Sequence, residues 1–485
     1  MFLYDLARKI KSGYKVRQKQ NAGRFLSPVR RIERVAPIKG ERLTAMTFDD
    51  GPSAAPLART EPSANAVYAA SASSASLSSS ATNAAQTTAT PQRSEKGLTA
   101  HILDTMNQYG AKGTFDVIGT TSGNYPDKAG KSGSFAWGGE RFDHYPDFNM
   151  DDLAGAKNRP ELIARIINEG HELTSHSYTH TLFGRIRMIY GKRACFDSIH
   201  DVISDLKLLD KLILNDHSCS IRLARPPHYV DKTLDGHSAY DAYRYMNYQY
   251  MAASFDGGGW KASSGDYDRD VSDMVAPLAQ ALEASPDALG GQIIFQKDGC
   301  SMSRLTPVAD ALPRHLELLA KHGYRVVTVS ELLEISPFED VSNDDSIFEA
   351  ARSLIGKGYC IAYRNNTLQP DRLLTFGELV VMSASPEKVL SVFREDVDSE
   401  FTRSFPQALG RFGVTATHPY YHAFAAALET GVLFNEDTHT ADAPVTPHIL
   451  SDYIRRLPGY YSLDSIPTGD SPVRRRDAIA VLAEF

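Results

Sequence analysis

The chain has 485 residues and a formal charge of -7, with 42% hydrophobic and 23% charged residues, which leaves room for two or three domains with their own cores. The mild acidity argues against a nucleic-acid partner bound through bulk charge, and no apolar run approaches the ~20 residues of a membrane-spanning helix. Cys195, Cys219, Cys300 and Cys360 are scattered without a CxxC pair, which argues against a thiolate zinc site or a disulfide framework.

Residues 1–39 are rich in Arg and Lys, and no apolar h-region follows them, so no standard secretory signal is expected. The segment reads as a solvated basic arm or a short amphipathic helix, with contact to an anionic membrane or wall polymer as the sharper alternative. Residues 43–48 read as a buried strand that stops at Asp49-Asp50-Gly51-Pro52. Two adjacent carboxylates at a strand end suit a site at the mouth of a parallel barrel, although a plain Asp-Gly turn has the same letters. Residues 62–92 contain no charge and are dominated by Ser, Ala and Thr, the composition of a disordered loop.

Residues 160–169 carry the period of an amphipathic helix that ends at Gly170. His171 follows on a strand, in a structural position, and then comes Ser175-His176-Ser177-Tyr178-Thr179-His180. On a helical turn, the spacing of His176 and His180 puts both imidazoles on one face, where they can chelate a metal, though surface helices carry HxxxH by chance. One carboxylate with two histidines suits zinc or another divalent transition metal and leaves positions open for water and substrate. A second carboxylate beside them can serve as general base.

The Thr47-Phe48-Asp49-Asp50-Gly51-Pro52 and Ser175–His180 strings resemble the first two motifs of the NodB-like polysaccharide deacetylases. Arg225-Pro226-Pro227, Asp256-Gly257-Gly258-Gly259-Trp260, the strand 293–299 and the strand and helix 322–333 resemble the later pieces, in order, over residues 40–335. The resemblance implies an α/β fold, a distorted (β/α) barrel with fewer than eight strands. It implies hydrolysis of N-acetyl groups on an amino-sugar polymer such as peptidoglycan or a chitin-like glycan, and a cell-surface location. In its terms Asp50, His176 and His180 bind the metal, zinc first, and Asp49 is the base that activates the attacking water. Arg225 holds Asp49, and backbone N–H groups near Pro226 and Pro227 help with the oxyanion. Asp256 and Trp260 belong to substrate binding, with Trp260 walling the acetate pocket.

Two positions depart from the pattern. The histidine that protonates the leaving amine is missing, and Lys297 stands there, or Gln296 with a shift of one residue. Strand alternation favours Lys297, which shares a face with Phe295. Gly259 stands where an acid usually tunes that histidine. An ordinary lysine, with a pKa near ~10.4, is a poor proton relay unless burial near a metal lowers it. An O-acetyl carbohydrate esterase, or a weakly active or inactive glycan-binding protein, therefore remain as alternatives.

Two insertions surround the site, 53–97 and 120–152. The second carries Tyr125, Phe135, Trp137, Tyr145 and Phe148, which suit either stacking on sugar rings or packing of the loop on itself. Residues 336–485 read as a small, mainly helical domain. Phe338-Glu339-Asp340-Val341 with Leu374-Thr375-Phe376-Gly377-Glu378-Leu379, a weaker copy from Phe393 to Thr446, and a fragment from Val473 resemble S-layer homology repeats. That resemblance implies a cell-wall polymer as partner. The arginine usual after Thr375 is replaced by Phe376, and a helical domain that only packs on the barrel is the alternative.

Overall fold

A computed structural model describes residues 23–54, 57, 97–120, 131–132, 141–142, 154–185, 194–261, 264–298, 307–399, 407–434, 436–459 and 466–485. Short apolar runs between polar turns form its strands. They are β1 (Arg31–Ile32), β2 (Leu43–Gly51), β3 (Thr114–Val117), β4 (Lys131–Ser132), β5 (Arg141–Phe142), β6 (Glu172–Ser175), β7 (Leu223–Ala224), β8 (Gln249–Met251), β9 (Phe255–Asp256), β10 (Ile293–Lys297) and β11 (Arg325–Val327). β4 and β5 form a separate antiparallel pair, and the other nine build one sheet in the order β1-β8-β7-β6-β3-β2-β10-β9, with β11 also on β2. All pairs in that sheet are parallel.

The sheet curls into a barrel because residues 249–256 act as one interrupted strand. Its first half pairs with β7 and its second half with β10. Counted that way, and with β1 set aside as an addition to β8, the barrel has seven strands, as the distorted-barrel reading requires. β2 is buried along its whole length, which explains its unbroken apolar start. Helices α1 (Leu98–Gln108), α2 (Pro160–Asn168), α3 (Ile199–His217), α4 (Ala239–Met246), α5 (Tyr267–Ala284), α6 (Val308–Lys321) and α7 (Val329–Ile335) cover the outside. Phe48 and Phe115 stack at 5.0 Å in a core shared with Ile102 and Met106 of α1 and Ile163 and Ile166 of α2.

The basic N-terminal segment, expected as a free arm, is built into the molecule over its described part. Leu26, Val29, Ile32, Val35 and Ile38 are buried, and β1 pairs with β8. The apolar side chains recur at every third position, so the intervening arginines reach outward or find partners. Arg30 is buried and donates from Nη1 to Pro337 O and Asn366 Oδ1, both at 2.8 Å.

The C-terminal region is helical: α8 (Phe348–Gly356), α9 (Phe376–Ser383), α10 (Pro386–Asp398), α11 (Tyr421–Glu429), α12 (Pro447–Ile454) and α13 (Arg475–Leu482). Three helix entries meet in a closed ring of backbone bonds. Leu374 N–H donates to Val473 O (2.8 Å), Val473 N–H to Val445 O (2.8 Å), and Val445 N–H to Leu374 O (3.0 Å). Each of the three residues precedes a helix start; Thr375 and Thr446 cap theirs through the hydroxyl, and Asp477 accepts from Arg474 N–H. The ring gives this domain three related corners. At the equivalent first helical positions stand Phe376, Pro447 and Arg475, all buried. Arg475 donates to Leu368 O and Ile361 O.

The Ser- and Ala-rich stretch 62–92 and the five aromatics of the second insertion lie outside the described residues. The roots of both insertions are tied together: Ser53 bridges Ala154, and Gly155 N–H donates to Pro52 O at 2.9 Å. A methyl group on Gly97 would lie 2.3 Å from Ala54 Cα, so the first insertion leaves and returns at one point. None of the described helices is long and apolar enough to cross a membrane.

Candidate metal centre

Asp49 and Asp50 (β2), Asp116 (β3), Lys297 (β10) and Asp256 (β9) lie at the C-terminal ends of parallel strands, and His176 and Arg225 directly follow β6 and β7. This is the face where a parallel barrel places its chemistry. Adjacent strand residues normally point to opposite sides. Asp49 and Asp50 share a pocket because the β2–β3 register shifts between Asp49 and Gly51 and Asp50 takes a left-handed φ of 72°. Gly51 is obligatory there, since a Cβ on it would lie 2.0 Å from Asp298 Oδ2.

The histidine pair is delivered by a turn, not by the helical turn expected from its spacing. Ser177 and His180 have φ of 73° and 57°, and His180 N–H donates to Ser177 Oγ at 3.0 Å. Asp205 on α3 holds this turn by accepting from Tyr178 N–H (2.7 Å) and from the Thr179 hydroxyl (2.7 Å). His171 accepts from Gly113 N–H at 2.9 Å, away from the pocket.

Asp50 Oδ1 lies 3.0 Å from His176 Nε2 and 3.2 Å from His180 Nε2. One ligand atom from each of these three buried residues falls within 4.8 Å of the others. Asp50 Oδ1 and both ring nitrogens of His180 are buried without a hydrogen-bond partner among the described residues. Orphaned atoms of this kind are costly unless an ion satisfies them. The donor set, one carboxylate and two imidazoles, fits a divalent transition metal.

His176 Nδ1 lies 2.8 Å from Asp116 Oδ2 and 2.9 Å from Arg225 O. Both are acceptors, so the proton sits on Nδ1 and Nε2 turns to the pocket. Burial works against charge on His176, but Asp116 and Asp50 outweigh it and raise its pKa to about 10. The same carboxylates would favour a metal cation on Nε2. Burial pushes His180 down to about 3, which leaves its lone pair available. Asp50 is held well below the usual carboxylate range: burial opposes this, and Lys297 and His180 overcome it. Lys297 Nζ donates to Asp50 Oδ2, while Gln296 points the other way, to His315.

Asp49 is paired with Arg225, whose Nη1 donates to Asp49 Oδ1. Arg225 is fully buried and also donates to Thr47 Oγ1 (3.2 Å) and Ala252 O (3.3 Å). Burial raises Asp49 to about 6 against the pull of Arg225. A carboxylate with that value is ionised at neutral pH yet still basic. Pro226 and Pro227 are buried and lack N–H groups, so the first backbone donor after Arg225 belongs to His228. His228 and Tyr229 both have left-handed φ, 54° and 57°, and the His228 ring stands 5.0 Å from that of His180. Trp260 Nε1 donates to Asp256 at 2.9 and 2.8 Å, so Asp256 fixes the indole.

Four residues of this centre escaped the sequence reading: Asp116, Asp205, His228 and Asp298. A charged residue inside the apolar run 114–118 is the signal that marks Asp116. Asp298 is buried and accepts from Thr99 Oγ1 at 2.6 Å, and burial raises its pKa well above the usual carboxylate range.

Among curated proteins none matches the chain. Solved structures similar to it include the peptidoglycan deacetylase PdaC from Bacillus subtilis, with 20% identity over 61% of this chain and 91% of that one and a TM-score of 0.35. The Xyl-CE4 domain of a multidomain xylanase from the hindgut metagenome of Trinervitermes trinervoides is 22% identical over 62% and 97%, with a TM-score of 0.35. The chitin deacetylase from Colletotrichum lindemuthianum is 17% identical over 61% and 90%, with a TM-score of 0.35. Likenesses at these scores carry no argument about this chain. Residues 89–188 match the family described as polysaccharide deacetylase. That segment holds β3 with Asp116, the helix α2, β6 and both histidines, and over these residues the chain is similar to polysaccharide deacetylases.

Proposed function

We propose that the chain is a metal-dependent hydrolase that removes N-acetyl groups from an amino-sugar polymer of the cell wall, peptidoglycan or a chitin-like glycan. The observation that carries this is the convergence of Asp50, His176 and His180 on one buried point beside the Asp49–Arg225 pair. These three residues would hold the metal, with zinc the first choice for such ligands. When bound, the metal polarises the acetyl carbonyl and makes the attacking water more acidic. Asp49 takes the proton of that water, and Arg225 keeps Asp49 aimed and charged. Lys297, with its ammonium in the same pocket, is the proton donor for the leaving group. Trp260, fixed by Asp256, forms a wall for the acetyl group, and the loop of Pro226 and Pro227 brings the His228 backbone to the carbonyl.

O-acetyl ester cleavage is the second reading, favoured by one observation: the Lys297 ammonium is engaged with Asp50. An alkoxide leaves with less help than an amine. Acetate release from chito-oligosaccharides and from O-acetylated xylan, each with added zinc or cobalt, separates the two. We expect release from the first, reduced at least ~10²-fold in Asp49→Asn. Release that survives Asp49→Asn sinks the base assignment, and none from either substrate defeats the enzyme reading. The three-cornered C-terminal domain is proposed to touch wall polymer through its repeats, with the ring of helix entries as support.

A further inference from the structure

We propose that Lys297 is a built-in rival to the metal: its ammonium holds Asp50 and weakens the site's grip on a divalent cation, which keeps the ion exchangeable. The inference rests on the metal reading above. The Asp50 carboxylate is divided. Oδ1 faces the two imidazoles, at 3.0 and 3.2 Å, and Oδ2 accepts from Lys297 Nζ. The lysine side chain is only 13% exposed, so water screens its charge poorly. Phe295 and Gly259 flank its stem. Nζ stands 5.9 Å from the Phe295 ring, and a methyl group on Gly259 would already lie 3.3 Å from Lys297 Cβ.

Charge balance sharpens the point. Three buried carboxylates, Asp49, Asp50 and Asp116, face two cations, Arg225 and Lys297, in one pocket, while the fourth buried carboxyl, Asp298, accepts from Thr99 Oγ1 and is held neutral by burial. With both imidazoles neutral, as ligation through Nε2 requires of His176, these groups sum to one negative charge, so a divalent ion would leave the pocket positive. Without the lysine the same ion would be neutralised. Arg225 cannot give way, since its guanidinium is fully buried and spent on Asp49, Thr47 and Ala252. Lys297 is the cation that must yield.

The test is calorimetric titration of the full-length, chelator-treated protein with zinc chloride, for wild type, Lys297→Met and Lys297→Arg. We expect Lys297→Met to bind zinc at least tenfold more tightly, and Lys297→Arg, which keeps the charge, to stay within about threefold of wild type. Circular dichroism melts in the absence of added metal check that each variant folds. Should Lys297→Met fail to fold, Lys297→Gln removes the charge while keeping a donor for Asp50, and the same tightening is expected. Equal or weaker zinc binding by a folded, charge-free variant overturns the inference and leaves the metal reading standing. No binding by wild type and variant alike overturns both.

Discussion

His315 shows how one buried side chain ties this barrel to pH. Its Nε2 lies 3.0 Å from Met274 O and its Nδ1 3.2 Å from Gln296 Nε2, so Nε2 donates and Nδ1 accepts. A second proton would break the bond to Gln296, and burial pushes the pKa down to about 4. The folded value lies below the unfolded one, so the unfolded chain takes up the proton first as pH falls. The stability contribution is complete above about pH 6.5 and is lost as pH falls toward 4. His315→Gln removes that dependence. Urea unfolding at pH 7 and 4.5 should show the gap between wild type and variant shrinking by about 2 kcal/mol at the lower pH. A gap that does not change with pH rules out a neutral His315 in the fold.

The residues that carry the proposed chemistry were legible in unequal degree. Asp49, Asp50, His176, His180 and Arg225 sit in short strings whose letters announce them. Asp116 stands out only as a charge inside an apolar run, and its role was not legible, because its partner follows another strand. The β3–β6 register puts Asp116 opposite Thr174, two residues before His176, and no local pattern reports that pairing. The helical reading of 176–180 failed for a similar reason. The turn is held by Asp205 from α3, which lies 27 residues after Tyr178 in the chain.

Among the elements, β2 and α1 meet directly at the root of the first insertion. Ala54 and Gly97 abut, Thr99 N–H donates to Ser53 O at 2.9 Å, and Ser53 N–H donates to Thr99 Oγ1 at 2.7 Å. The strand β2 and helix α1 are therefore joined at the insertion's root. Removing residues 58–93 and closing the gap with a short Gly-Ser linker should leave the melting temperature within about 3 °C, because the root contacts stay and a shorter loop costs slightly less closure entropy. Zinc affinity by titration should stay within about threefold. A large fall in either would mean that the insertion supports the site. The helix α2 and the strand β2 were readable from period and composition, and β10 from the family resemblance. The basic segment 23–39 was not, since its charge masked an apolar residue at every third position.

For the whole molecule, that segment decides how the parts are coupled. Leu26 belongs to the core of the helical domain, Val29 to that of the barrel, and Ile32 to a third cluster at the barrel base. Arg30 joins them: its N–H donates to Gln249 Oε1 at 2.8 Å in the barrel, and its side chain donates to Pro337 O and Asn366 Oδ1. Arg30→Met would strip both acceptors of their donor, at a cost of roughly 2–4 kcal/mol. In scanning calorimetry the wild type should unfold in one transition, and Arg30→Met in two, the helical domain first. One sharp, unshifted transition in the variant would contradict the coupling.

The same segment sets an order of events. Leu26 N–H donates to Tyr420 Oη, a contact that spans 394 residues. The first described stretch to leave the ribosome must therefore wait for nearly the last. During synthesis the barrel can pair β2 with β3 and β6, and β1 with β8, yet Leu26 stays without its core until the helical domain exists to receive it. Contacts of such long range form late and slowly. The nascent barrel thus passes through a stage in which Leu26 is exposed beside an already paired β1, and a late step of maturation is the seating of Leu26 against the helical domain.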